Sequence, residues 1–156
     1  MNEAELSRNP VFSPGKDGDV AAREEKGERR WWLQDLNVTP DLALPKLSGQ
    51  ECKLDASTCV VSIDYLTQPV AVLSSILAQT VPGGTIHLAI SNRCFPSKVV
   101  GRWLRVGERE RLEMVGDYLW YSGWRDVEIV RVVEGGFMRD PLWVVRGVNS
   151  GKVDEC

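Results

Sequence analysis

Thr58-Cys59-Val60-Val61-Ser62-Ile63 is a short apolar run, and it stops at Asp64-Tyr65. A segment of helical period follows from Thr67 to Val81, then Pro82-Gly83-Gly84, then a second apolar run from Thr85 to Ile90 that closes at Ser91. Within the first segment Pro69, Val72, Leu73, Ile76 and Leu77 recur at spacings of three and four, which makes one apolar stripe. Thr67 is placed to cap that helix, and Pro69 suits its first turn. Pro-Gly-Gly reads as a turn that resets the backbone. The sequence therefore predicts strand, helix, turn and strand, half of a doubly wound α/β sheet. The strand from Thr58 to Ile63 lacks alternation, as expected where helices cover both sheet faces.

Downstream, Asn92-Arg93-Cys94-Phe95-Pro96 forms a loop leading to a helix from about Ser97 to Arg105, which Gly107 interrupts. A second helix is predicted from about Glu108 to Ser122, with Leu112, Val115 and Leu119 on one face and Gly123 at the left-handed stop position. Two β-rich runs follow, Asp126 to Val133 and Pro141 to Arg146, joined through Gly135-Gly136. A connection this short cannot make a parallel crossover, so the two strands are expected to be antiparallel neighbours.

Upstream, Trp31 to Asn37 reads as a short strand ending in a polar turn, and Pro40, Pro45 and Gly49 keep the next residues irregular. Residues 1–15 read as a short helix and loop, because Asn2 and Glu5 have the form of a cap and Pro10 ends the helix early. In residues 16–30, ten of fifteen side chains are charged, which opposes burial and predicts a disordered insertion, either a solvated surface or a partner-binding tail. The ordered domain is expected over 31–146, with a flexible tail over 147–156.

At 156 residues the chain is the size of one domain, and 43% apolar residues are enough for one core. Nineteen basic against 22 acidic side chains, net −3, offer no basic face for nucleic acid. The four cysteines, Cys52, Cys59, Cys94 and Cys156, lack metal-ligand spacing, so no metal is expected and a reducing compartment is inferred. No apolar run is long enough for a membrane span, and the polar, acidic N-terminus has neither signal- nor transit-peptide character. A cytoplasmic protein is the expectation. His87, the sole histidine, falls in mid-strand and reads as structural, which leaves no histidine for triad chemistry.

The ordered set Gln34-Asp35-Leu36-Asn37, Ser62 to Pro69, Val81 to Gly84, Ser91 to Lys98, Tyr118 to Gly123 and Asp140-Pro141-Leu142 resembles the class I S-adenosylmethionine-dependent methyltransferases of the type-11 kind. Met1 to Leu6 with Asn9-Pro10 is similar to the segment that follows the family's second strand. The resemblance covers nearly everything but the charged insertion and the tail. It implies a Rossmann-like class I methyltransferase sheet, N-terminally incomplete, with parallel strands and a C-terminal antiparallel hairpin. In that order the run from Pro141 inserts between Thr85–Ile90 and Asp126–Val133.

The family's glycine-rich cofactor loop and the acidic residue ending its second strand have no counterpart here. The resemblance therefore implies a methyltransferase, with S-adenosylmethionine as cofactor and a small-molecule acceptor, that is inactive as this chain. A non-catalytic methyltransferase-like binding protein is the alternative. An unpaired strand edge is expected to promote self-association.

By resemblance, Asp35, Leu36 and Ser62 are cofactor-binding: Asp35 accepts from the adenine amino group, although an Asp at a strand end is also a common turn residue. Asp64 and Tyr65 are the catalytic candidates; a carboxylate there acts as general base, steers a sulfonium, or simply sits at a helix N-terminus. Asn92 and Arg93 are the substrate-binding candidates. The planar fork of Arg93 suits an acidic or phosphorylated group, and a surface arginine is the other reading.

Overall fold

The computed structural model describes residues 34–44 and 53–151. The expected N-terminal helix and charged insertion, Trp31 to Leu33, residues 45–52 and residues 152–156 lie outside them. The elements in chain order are β1 (Leu54–Val60), a 3-10 turn (Ile63–Tyr65), α1 (Pro69–Ala78), β2 (Thr80–Ser91), α2 (Glu108–Tyr121), β3 (Arg125–Val133) and β4 (Leu142–Val148). Among the described residues the strands form one mixed sheet in the order β1-β2-β4-β3. β1 runs parallel to β2, and β4 pairs antiparallel with both β2 and β3. The last strand thus inserts where the sequence reading placed it.

Several boundaries differ from expectation. β1 begins at Leu54 and ends at Val60, three residues short of Ile63. Val61 takes a left-handed φ of 42°, rare for a β-branched residue, and breaks the strand. The Ser62 hydroxyl then donates to the Val60 carbonyl at 2.8 Å, and Ile63 to Tyr65 tighten into the 3-10 turn. α1 is shorter than expected. Thr67 does not cap it, because its amide and hydroxyl donate to Asn37 Oδ1 at 2.8 and 3.1 Å, and Gln68 stands at the N-cap instead.

Pro82-Gly83-Gly84 does not end a segment: β2 runs straight through it. Val81 to Gly84 lie opposite the single residue Asp55, an irregularity that accommodates a proline with no N–H to give. Gly83, at φ 81°, donates to the Asn149 carbonyl at 2.7 Å, and Asn149 donates back to the Gly84 carbonyl at 2.8 Å. The strand expected to finish at Arg146 therefore continues through buried Gly147 to Val148.

The helix expected over Ser97–Arg105 is a succession of turns. Val100 donates to the Asp64 carbonyl at 2.9 Å, while Trp103 and Arg105 bond only three residues back. Gly101 favours no helix. What the segment achieves is burial of Trp103, 2% exposed, with the Arg111 guanidinium 5.4 Å from its ring and Arg111 Nε donating to its carbonyl at 2.9 Å.

α2 matches its sequence pattern. The Glu110 carboxylate accepts from the Gly107 amide at 3.1 Å, Leu112, Val115 and Leu119 are buried, and Gly123 terminates the element at φ 94°. These side chains meet Ile86, Leu88 and Ile90 of β2 and Val145 of β4 in one core, together with Leu73 and Trp124. Trp124 Nε1 donates to the Leu73 carbonyl at 3.1 Å, tying the start of β3 to α1. Burying each such aliphatic side chain contributes roughly 1.5–3 kcal/mol.

Among the described residues the buried core lies on one face of the sheet. Along β2, buried Ile86, Leu88 and Ile90 alternate with half-buried Thr85, His87, Ala89 and Ser91. Val60 on β1 and Val130 and Val132 on β3 are exposed. Among the described residues this alternation leaves the second face half covered, where the sequence predicted helices on both. Among the described residues the outer edge of β1 pairs with no strand.

Candidate functional site

The parallel pairing of β1 and β2 sends both chains out of the sheet at the same end, and Leu142 of β4 pairs there with Ser91 and Val133. Three loops therefore gather at the carboxyl edge, the edge at which open α/β sheets bind ligands. They are residues 61–68, 92–107 and 134–141. The turn at 36–38 joins them, because Asn37 Nδ2 donates to the Tyr65 carbonyl at 3.1 Å. Tyr65 in turn accepts at its hydroxyl from the Phe95 amide at 3.0 Å, with the two rings 6.5 Å apart. Arg93 forms an ion pair with Asp140, which links the loop after β2 to the β3–β4 hairpin.

Asp35 sits in the turn rather than in a strand. Its Oδ1 accepts from the Asn37 amide at 3.0 Å and its carbonyl accepts from Val38 and Thr39, so it shapes the turn while its carboxylate stays at the surface. Leu36 beside it is half-buried. Ser62 is exposed, with its hydroxyl proton engaged by the Val60 carbonyl and its oxygen still able to accept.

Asp64 is only 4% exposed. Burial pushes its carboxyl above the ordinary range, against the lowering effects of its own backbone amide and the Arg111 charge. It shares a narrow crevice with Ile63, Ile90 and Trp103, whose indole N–H has no partner among the described residues. Burial likewise pushes the Cys59 thiol up; the Ser62 backbone opposes this and the Asp64 carboxylate adds to it. Cys59 and Cys94 are free thiols. Among the described residues no three of His, Cys, Asp and Glu come together in a way that could hold a metal. No described helix is long and apolar enough to cross a membrane. His87 is half-buried, with Nε2 3.1 Å from the Thr85 hydroxyl.

The open cleft of about 430 Å³ at this edge lies between the loop after β2 and the hairpin. Asn92 and Arg93 line it, together with Phe137, Met138, Arg139 and Asp140. The structure thus brings both substrate-binding candidates into one cleft, whereas Asp35, Leu36, Ser62, Asp64 and Tyr65 do not line it. Sequence reasoning missed the hairpin residues. The available signal was Phe137-Met138, an apolar pair directly after Gly135-Gly136 where a hairpin tip ordinarily carries polar residues.

No protein-family model matches the chain, and no curated protein matches it. Among solved structures the chain is similar to the S-adenosylmethionine-dependent methyltransferase SibL in its apo form, with a TM-score of 0.45 and 14% identity over 82% of this chain and 38% of that one. It is also similar to a variant of the 16S rRNA (adenine(1408)-N(1))-methyltransferase from Catenulisporales acidiphilia. There the TM-score is 0.40 and the identity 18%, over 60% of this chain and 49% of that one. The chain spans less than half the length of either neighbour.

Proposed function

We propose that this chain is a class I, type-11-like S-adenosylmethionine-dependent methyltransferase domain whose acceptor is a small molecule, and that these 156 residues by themselves hold the cofactor weakly and turn over no substrate. The supporting observation is the strand order. A parallel β1-α1-β2 unit is followed by a final strand that returns antiparallel between β2 and β3, as the resembling family has it.

The described residues fit one side of the cofactor. Asp35 offers a surface carboxylate to accept from an adenine amino group, Leu36 an apolar contact, and Ser62 a hydroxyl oxygen to accept a further bond. S-adenosylmethionine, when bound, supplies an electrophilic methyl group on a positively charged sulfur. The chain's own part is to position an acceptor in line with it, a task that needs few obligatory side chains. Asn92 and Arg93 serve that task from the cleft. Asp64 and Tyr65 act as positioning residues, since the Asp64 carbonyl and the Tyr65 hydroxyl each hold a backbone amide of the loop after β2.

Each missing charge-assisted hydrogen bond to the cofactor is worth roughly 1.5–3 kcal/mol, so two or three weaken binding by about a thousandfold or more. Amide chemical-shift mapping with S-adenosylhomocysteine tests the reading. Weak, millimolar-range changes confined to residues 35–37 and 62–66 are expected. Changes elsewhere, or none at saturating ligand, would overturn the methyltransferase reading, and micromolar affinity would overturn the claim of a weakened site. The alternative, a non-catalytic methyltransferase-like binding protein, is favoured by the β1 edge, which pairs with no strand among the described residues, and by the exposed Val60, Val130 and Val132, which suit a partner surface.

A further inference from the structure

The cleft beside the hairpin has an uneven chemistry. Its wall carries two guanidinium groups, Arg93 and Arg139, against one carboxylate, Asp140, on a chain whose net charge is −3. Asp140 is already committed to Arg93 Nε, which leaves the two outer nitrogens of Arg93 unbonded among the described residues. Arg139 has no side-chain partner among them; only its backbone is engaged, exchanging bonds of 2.9 and 3.2 Å with Gly136. That pair of bonds closes the hairpin tip and leaves Phe137 and Met138 outside it, both essentially fully exposed. Large apolar side chains at full exposure gain from being covered. Here they stand next to donors that want an anion.

We propose that this cleft binds an organic anion with an apolar body, an aryl or acyl carboxylate. Arg139 and the outer nitrogens of Arg93 hold the carboxylate, and Phe137 and Met138 cover the apolar part. A guanidinium presents two parallel N–H groups to a carboxylate, and such charge-assisted bonds are the stronger kind. The flexible thioether of Met138 adapts to the shape of the body it meets. Asn92 Nδ2 adds a neutral donor on the opposite wall, its Oδ1 being occupied by the Ser91 hydroxyl at 3.3 Å. Arg139 thus shares the anion-binding role with Arg93, which Asp140 partly neutralises. Calling this ligand the methyl acceptor rests on the function proposed above; binding of the anion does not.

Calorimetry on the full chain, without cofactor, uses phenylacetate, its neutral isostere phenylacetamide, and acetate. Phenylacetate is expected to bind about tenfold or more tightly than the amide, with acetate too weak to measure. Arg139→Gln should bring phenylacetate down to the level of the amide. Asp140→Asn, which removes the competing carboxylate, should tighten phenylacetate binding a few-fold, and Phe137→Ala should weaken both aryl ligands. Equal affinity for acid and amide, an unchanged Arg139→Gln variant, or no heat from phenylacetate at about 10 mM would overturn the proposal. So would capture of anionic phospholipid vesicles that is lost in Phe137→Ala while phenylacetate fails to bind, because the tip would then be a lipid contact. If phenylacetate binds as expected and S-adenosylhomocysteine leaves residues 35–37 and 62–66 unmoved, the methyltransferase reading falls and the anion cleft stands.

Discussion

Replacing Gly84 by alanine tests whether β1 and β2 meet as described, and the neighbouring Gly83 is its control. A Cβ at Gly84 would lie 2.5 Å from Thr80 Cγ2, 2.9 Å from the Val81 carbonyl oxygen and 3.0 Å from the Asp55 carbonyl oxygen. Thr80 cannot rotate aside freely, being buried with its hydroxyl donating to the Ile76 carbonyl at 2.8 Å. The two carbonyls belong to the backbones of both strands, so relief requires the strands to part. Overpacking of this kind costs roughly 1–3 kcal/mol, and loss of the Thr80 bond adds about 1 kcal/mol. Gly84→Ala should therefore lose about 2–4 kcal/mol, a large share of the 5–15 kcal/mol typical of a domain.

Gly83 differs in kind. Its φ is 81° and nothing stands within 4 Å of the point an alanine methyl would occupy, so Gly83→Ala should lose only the left-handed strain of about 1–2 kcal/mol. Gly83→Asn should lose less still, since asparagine tolerates that conformation. Thr80→Ser in the Gly84→Ala background deletes the clashing methyl and should recover part of the loss. Urea unfolding followed by circular dichroism, with the slope checked for two-state behaviour, gives each value. A Gly84→Ala variant within about 0.5 kcal/mol of the parent would refute the close approach, as would Gly83→Ala being the more damaging of the two.

Three further outcomes follow from the same geometry. A buried carboxyl whose folded-state pKa is raised lends stability that is complete below the ordinary carboxylate range and lost as pH rises through the raised value. Asp64→Asn should accordingly raise the melting temperature more at neutral pH than in mild acid, and an equal or opposite shift would show that Asp64 titrates normally. Val60→Lys places a charge on the exposed face of β1, whose outer edge pairs with no strand among the described residues, and should reduce the self-association expected of that edge, seen as a lower mass in light scattering. A parent chain already monodisperse as a monomer, with a cooperative thermal transition, would count against that expectation. The half-buried Cys59 thiol, whose pKa desolvation raises, should react with iodoacetamide more slowly in the folded chain than in urea, and equal rates would place it at the surface.

Much of the architecture was legible because it is written in local periodicity. The apolar stripe from Pro69 to Leu77, the matching stripe of α2 with Gly123 behind it, and the short link between the last two strands each state their element within a few turns of chain. The antiparallel insertion of β4 was readable too, through the resemblance. Of the cleft's lining, Asn92 and Arg93 were legible as residues of the carboxyl edge, since a polar loop after a buried strand falls there. Phe137 to Arg139 were not, because they look like an ordinary hairpin turn until the fold sets them opposite that loop.

What only the tertiary structure decided are the features whose partners lie far away in sequence. Pro82-Gly83-Gly84 reads locally as a turn, but Asn149, which donates to the Thr80 and Gly84 carbonyls and accepts from the Gly83 amide, holds it within a strand. Residues 97–105 read as a short helix, but burying Trp103 and satisfying the Asp64 carbonyl drew them into turns. Asp64 itself reads as an accessible carboxylate at a strand end, and the packing of Ile63, Ile90 and Trp103 encloses it. The sequence by itself determined the strand–helix–strand unit, α2 and the closing hairpin, because hydrophobic spacing acts over neighbouring residues. Which polar groups stay open to a ligand was decided by contacts across tens of residues, because burial of a polar side chain depends on what the rest of the chain lays over it.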